Sequence, residues 1–252
     1  MTTKRQILGS LAACAALLAA GSALAQDATY KVGSTPSGVP FTFLDVATNR
    51  IDGVMVDLIE AIGKEAGFTP QIEATQWSAL IPSLTSGKID VIAAAMYATP
   101  ERAEVVAFSD PVYSYGEGLF VPKDDTGTYA SLDDLEGKTV GAQVGTAYVE
   151  PLQASGKLKE VKVYDTIADI MRDVSLGRID AGFGDRPIVA YQLSKGASDV
   201  RLVPEYVSTI TGDVAIAVRQ GDSELLGKIN EGLARVKESG QLDAIVKEWN
   251  IE

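Results

Sequence analysis

Two short strings constrain the fold of this chain more than anything else in it. Ser86-Gly87-Lys88-Ile89-Asp90 and Leu176-Gly177-Arg178-Ile179-Asp180 each close a helical pattern with glycine, place a base, and enter an apolar run through Ile-Asp. Glycine ends helices because it adopts the left-handed conformation that a Cβ resists. Ile89 to Ala95 is then a nearly unbroken apolar run, the pattern of a strand buried on both faces. A helix stopped by glycine and followed at once by such a strand is one step of an α/β repeat. Meeting that step twice implies two lobes of related plan.

The first string leads into Thr99-Pro100-Glu101-Arg102. A Thr oxygen accepts from first-turn N–H groups, and Pro suits the first helical position, so Thr99 is expected to cap a new helix. A capping box would put Glu or Gln three residues on. The residue there is Arg102, a cation that opposes the helix dipole at roughly 0.3 to 1 kcal/mol. Two explanations stay open at this point: Arg102 and the helix N-terminus hold an anion together, or Arg102 is exposed or paired with Glu101, Glu104 or Asp110.

The rest of the chain alternates in the same way. Tyr30 to Gly33 reads as a strand running into a Gly, Pro and Ser-rich loop, Ser34 to Pro40, of the kind that lines ligand crevices in open α/β sheets. Val54 to Ala66 has helical spacing and stops at Gly67; Pro70 to Ala74 is a strand and Ser78 to Thr85 a helix. After Phe108-Ser109-Asp110-Pro111, the strand Gly118 to Val121 carries the chain elsewhere. A second unit then follows: a short helix Leu132 to Leu135, strand Lys138 to Ala142, a helix from Gly145-Thr146 through Leu152, strand Val161 to Tyr164 and helix Ile167 to Leu176. Asp213 to Arg219 is a strand and Leu225 to Glu248 is helical.

Lys4 and Arg5, the uncharged run Ile7 to Ala20 and Ala23-Leu24-Ala25 have the plan of a secretory signal peptide, residues 1–25, cleaved after Ala25. An N-terminal membrane helix and lipidation at Cys14 within Leu11-Ala12-Ala13-Cys14 are the competing readings. Cys14 is the only cysteine, so the exported protein has no disulfide and must be stabilised by its core, for which 46% apolar residues are ample. The 22 basic residues, Lys4 and Arg5 among them, face 34 acidic ones, which disfavours nucleic acid and anionic membrane as partners. With no histidine, Ser-His and Cys-His catalysis and imidazole-bound metals are excluded, and neither a cofactor nor a metal is expected.

Taken in order, Gly53-Val54-Met55-Val56-Asp57-Leu58, Trp77 to Leu84, Ser86 to Asp90, Thr99 to Arg102, Phe108 to Pro111 and Gly177 to Asp180 resemble the type II periplasmic solute-binding proteins of ABC importers, in the polar amino acid family. The resemblance spans essentially the whole mature chain. It implies a two-lobed α/β fold, the lobes joined by two crossover strands, closing over a small zwitterion by a hinge and delivering it, as a monomer in the periplasm, to an ABC permease of the inner membrane. Lobe one would be 27–114 and 214–252, lobe two 115–213, with crossovers near Ser114 to Leu119 and Thr211 to Ala215.

By the same resemblance, Arg102 grips the ligand carboxylate, Gly145 and Thr146 offer it backbone N–H groups, Asp185 takes the ammonium, and Trp77 flanks the ligand, with Thr35 and Ala95 also at the site. A cap before Arg186-Pro187 is the plain alternative for Asp185, and a core position is the alternative for Trp77. Tyr97 stands where many members have a Ser or Thr that helps bind the carboxylate. Thr35 and Gly38 stand where lysine and histidine binders have Asp and a stacking Tyr, which argues against a basic side chain on the ligand. Trp77 and Tyr97 together look like the aromatic pair of ectoine-binding members, suited to an ectoine- or betaine-like cation, unless Tyr97 belongs to the core. A non-enzymatic transport role is expected. The same fold is also similar to periplasmic dehydratases, for which no general acid is visible, and to receptor sensor parts, which would require a separate partner kinase.

Overall fold

The computed structural model describes residues 28–196 and 199–251. The leader, with Cys14 and the junction after Ala25, lies outside the described residues. Strand β1 (Ala28–Ser34) is followed by a small antiparallel excursion, β2 (Ser37–Gly38), β3 (Thr42–Asp45) and β4 (Arg50–Asp52). Helix α1 (Val54–Ala66) buries Val54, Met55, Leu58, Ile59 and Ile62 at the spacing of one face and ends at Gly67. Next come β5 (Phe68–Ala74), a 3₁₀ turn at Trp77–Ala79, and α2 (Leu80–Thr85). They lead to β6 (Val91–Tyr97), in which every residue is buried, as a strand covered on both faces requires. The single turn α3 (Pro100–Ala103) and β7 (Val106–Phe108) complete this part.

The long strand β8 (Tyr113–Pro122) enters the second unit. That unit contains β9 (Thr139–Gln143), α4 (Val149–Ala154), β10 (Glu160–Tyr164), α5 (Ile167–Ser175), β11 (Ala181–Asp185), α6 (Arg186–Ser194) and β12 (Val200–Leu202). Strand β13 (Thr211–Arg219) returns, and α7 (Ser223–Glu238) and α8 (Gln241–Glu248) close the described chain. The strand order is β10-β9-β11-β8-β13-β6-β1-β5. At one end β5, β1 and β6 are parallel; at the other, β10, β9 and β11 are parallel. Between them β8 and β13 run antiparallel to each other, from Tyr113 opposite Val214 to Gly116 opposite Thr211. Beyond that shared stretch β8 pairs with β11 and β13 with β6. The two units are thus lobes spliced by two crossing strands, the architecture the sequence implies.

The repeated Gly-base-Ile-Asp string has one structural cause in both lobes. Gly87 and Gly177 are left-handed, at φ 75° and 65°, and Ile89 and Ile179 fill the cores. Each Asp then accepts from the backbone N–H one residue before the pairing with the neighbouring parallel strand begins: Lys31 N–H to Asp90 at 3.0 Å and Thr139 N–H to Asp180 at 2.7 Å. The Asp N–H in turn donates to the carbonyl of that same residue, at 2.8 and 2.9 Å. The aspartate fixes where two parallel strands begin their pairing.

Two helices differ from the sequence reading. The helix expected from Gly145-Thr146 begins at Val149, because Gly145 is left-handed, at φ 69°, and the Thr146 hydroxyl donates back to the Gln143 carbonyl at 2.7 Å. The expected continuous helix Leu225 to Glu248 is two, broken where Gly240 takes φ 76°. Among the described residues no helix is long and apolar enough to cross a membrane.

Candidate functional site

Arg102 sits in α3, and the Thr99 hydroxyl caps its backbone N–H at 3.3 Å. Its Nη1 donates to the Tyr97 carbonyl at 2.7 Å and its Nη2 to the Gly145 carbonyl, across the gap in the second lobe, at 2.9 Å. The guanidinium carbon lies 5.5 Å from the Trp77 ring centroid, within cation–π range. Arg102 therefore faces the cleft, held by carbonyls and a ring instead of by Glu101, Glu104 or Asp110. Two of its five N–H donors are used, so three remain. Burial pulls its pKa below the usual arginine range and nearby Asp185 acts the other way.

Asp185 ends β11 opposite it. Although it precedes α6, its carboxylate makes no cap hydrogen bond; it accepts instead from the Tyr148 hydroxyl and, at 3.0 Å, from the Tyr115 hydroxyl. The capping alternative therefore does not account for it. Burial pushes the Asp185 pKa upward, while the two phenol donors and Arg102 hold it down. Burial and the facing Asp185 push Tyr115 and Tyr148 well above the ordinary phenol value.

Tyr97 is 5% exposed, its hydroxyl donating to the Tyr115 carbonyl at 2.9 Å and lying 3.0 Å from the Tyr148 hydroxyl, whose one hydrogen goes to Asp185. A Cβ on Gly212 would sit 2.5 Å from its ring, so the crossover backbone lies directly against that ring. Ala95 takes φ +54°, a left-handed conformation rare outside glycine, where the β6–β13 register shifts. Its carbonyl lies 3.2 Å from the Tyr115 hydroxyl and competes with the nearer Asp185 carboxylate for that one hydrogen.

These residues line connected spaces between the lobes. One small space is bordered by Trp77, Ala95, Tyr97, Arg102, Thr146 and Asp185, with Tyr148. A second shares Trp77, Ala95, Thr146 and Asp185 and extends to Thr35. Gly145 lines the wider outer cleft with Arg102. All eight candidate positions thus border one cleft. Thr146 does so with its N–H turned back to Gln143, at 3.3 Å, whereas the N–H groups of Gly145 and Ala147 have no protein acceptor among the described residues. Sequence reasoning missed Tyr115 and Tyr148, Ser37 and Phe41 of the first loop, and Gln143, Ile167 and Ile188 on the second lobe. Gln143 carried a usable signal, since it ends a strand two residues before Gly145. Tyr115 and Tyr148 carried none, because their partners are distant in the chain.

The family model described as bacterial extracellular solute-binding proteins, family 3, matches residues 30–252. The chain is 35% identical over 241 residues to the putative ABC transporter arginine-binding protein 2 of Escherichia coli (strain K12), covering 93% of this chain and 96% of that one. It is 30% identical to the L-cystine-binding protein TcyJ of the same strain, over 88% of this chain and 82% of that one. Among solved structures, an ancestral arginine-binding protein bound to glutamine superposes with a TM-score of 0.79 at 36% identity, over 89% of this chain and 98% of that one.

Proposed function

The chain belongs to the bacterial extracellular solute-binding proteins of family 3, and from that premise we propose that it captures an amino acid between its lobes by the α-carboxylate and α-ammonium. It is an amino-acid-binding solute-binding protein of an ABC transport system, as its relatives are. Arg102 takes the carboxylate with its three uncommitted N–H donors, aided by the N–H groups of Gly145 and Ala147. Asp185 and the Ala95 carbonyl take the ammonium, and Trp77 and Thr146 wall the site. The observation that carries this reading is the meeting of Arg102 from the first lobe and Asp185 from the second around one small space. Opposite charges face it from opposite walls, as a zwitterion requires.

The lobes divide at 27–114 with 214–252 and at 115–213, and closure brings Asp185 towards Arg102 by bending of β8 and β13. The partner is a membrane permease, the protein is a monomer that does no chemistry on its cargo, and it works in the periplasm after removal of residues 1–25. An ectoine- or betaine-like cargo draws on the aromatic walls, but Trp77 already faces the Arg102 guanidinium and the Tyr97 hydroxyl is tied to two other tyrosines, which favours the amino acid.

Arg102→Ala tests the reading. Removing one partner of a desolvated charge pair costs roughly 2 to 5 kcal/mol, which is about 30-fold to several thousand-fold in affinity. Calorimetric titration with L-amino acids and with ectoine should show that loss for the amino acids while the circular dichroism stays native. Affinity within a few-fold of the parent would remove Arg102 from the carboxylate site.

A further inference from the structure

We infer that the far end of the cleft selects an amino acid with an uncharged carboxamide side chain, and not the guanidinium that the name of an arginine-binding relative suggests. The inference rests on the assignment of Arg102 and Asp185 to the α-groups, and concerns what lies beyond them in the space that extends to Thr35. Its apolar walls are Phe41, Ile167 and Ile188, and its polar groups are Thr35, Ser37 and Gln143. Among the described residues, Asp185 is the only charged side chain bordering that space.

The hydrogen-bond inventory of the three polar groups is specific. Gln143 donates Nε2–H to the Asp165 carbonyl at 2.8 Å, which fixes its amide orientation, because a carbonyl only accepts. It is left with an acceptor, Oε1, and one N–H. Thr35 and Thr42 share one hydrogen bond of 2.6 Å. That bond uses one of two hydroxyl hydrogens, so the buried pair retains one donor as well as acceptor lone pairs. The Ser37 hydroxyl serves either way. Donors and acceptors are therefore both on offer, without net charge.

A carboxamide has the matching set, one acceptor and two donors. A guanidinium brings five donors with no acceptor and a second positive charge, for which the one carboxylate bordering the space, Asp185, is already committed to the α-ammonium. A carboxylate would find no cation and would face Oε1. An alkyl side chain would leave the desolvated Thr35–Thr42 donor and Gln143 without partners, so it too is disfavoured.

The test is calorimetric titration of the full mature protein with L-glutamine, L-asparagine, L-arginine, L-glutamate and L-norleucine, repeated on Gln143→Leu and Arg102→Ala. The expected result is that glutamine or asparagine binds at least about 30-fold tighter than arginine or glutamate, the cost of stranding a buried charge. Gln143→Leu should lower the affinity of the preferred amide several-fold to about tenfold and raise that of norleucine, which no longer strands the Gln143 amide, with a native melting profile. Arginine, glutamate or norleucine binding as tightly as both amides would overturn the inference. If that binding is still lost in Arg102→Ala, the α-group assignment stands and only the side-chain class falls. Failure of all five to bind, or full binding by Arg102→Ala, would overturn both.

Discussion

At the scale of single residues, Asp185 is where charge and burial conflict most sharply. Its pKa is raised from 3.8, burial being the largest cause. In the unliganded fold the ionised form is therefore disfavoured, and an arriving ammonium favours it. Ligand affinity should fall as pH drops through that raised value and be fully present above it. For stability without ligand the sign reverses: the burial penalty is absent below 3.8, where the group is protonated in both states, and complete above the folded pKa. Titrations between pH 3.5 and 7 (the range is about that of ordinary carboxylates and above) should show this acid limb in the parent and lose it in Asp185→Asn. The same limb persisting in Asp185→Asn would assign the titration to another group. Arg102 was legible because a cation after Thr-Pro-Glu contradicts helix electrostatics, an anomaly contained in four consecutive residues. The fixing of Asp185 by two phenols was not, since Tyr115 and Tyr148 reach it from 70 and 37 positions away.

At the scale of elements, what the sequence showed best is what local chemistry determines. Gly67 stops α1, Thr99 caps α3 and the apolar run gives β6, each fixed within a few residues. Turn geometry was less legible. The sequence pattern starts a helix at Gly145, whereas a left-handed glycine there makes a turn that holds the Gln143 carbonyl and delays α4. The repeated Ile-Asp step invites a paired test. Asp180→Ala removes the acceptor for Thr139 N–H, a cost of about 1 to 3 kcal/mol for a stranded, partly buried donor. Asp90→Ala should cost more, because Asp90 accepts from Lys31 N–H and also from both Nη atoms of Arg219, each at 3.1 Å. Urea unfolding of the two variants should rank Asp90→Ala as the less stable. The reverse order would mean that the Arg219 pair, which is about a third exposed, contributes nothing measurable.

At the scale of the whole molecule, the question is where two lobes joined by β8 and β13 can bend. Glu117, 0% exposed on β8, accepts from the Tyr206 hydroxyl at 3.0 Å, the Thr209 N–H at 2.8 Å and hydroxyl at 3.2 Å, and the Ile210 N–H at 2.9 Å. Opening this clasp would strand a buried carboxylate and several donors at once, so in the proposed closure the lead into β13 is expected to move with the second lobe as one piece. On the proposed hinge closure, bending would be confined to the ladder between Glu117 and the first lobe, Tyr113 to Gly116 against Thr211 to Val214. A ligand at about 100 times its dissociation constant adds about 2.7 kcal/mol to the folded state, enough to alter which of these amides open. Hydrogen exchange followed with and without a bound amino acid should show slowed exchange in that four-pair ladder, while Thr209 and Ile210 stay equally protected in both states. Exchange at Thr209 and Ile210 that rises on ligand removal would place the hinge through Glu117 itself, and the clasp would then be part of what moves.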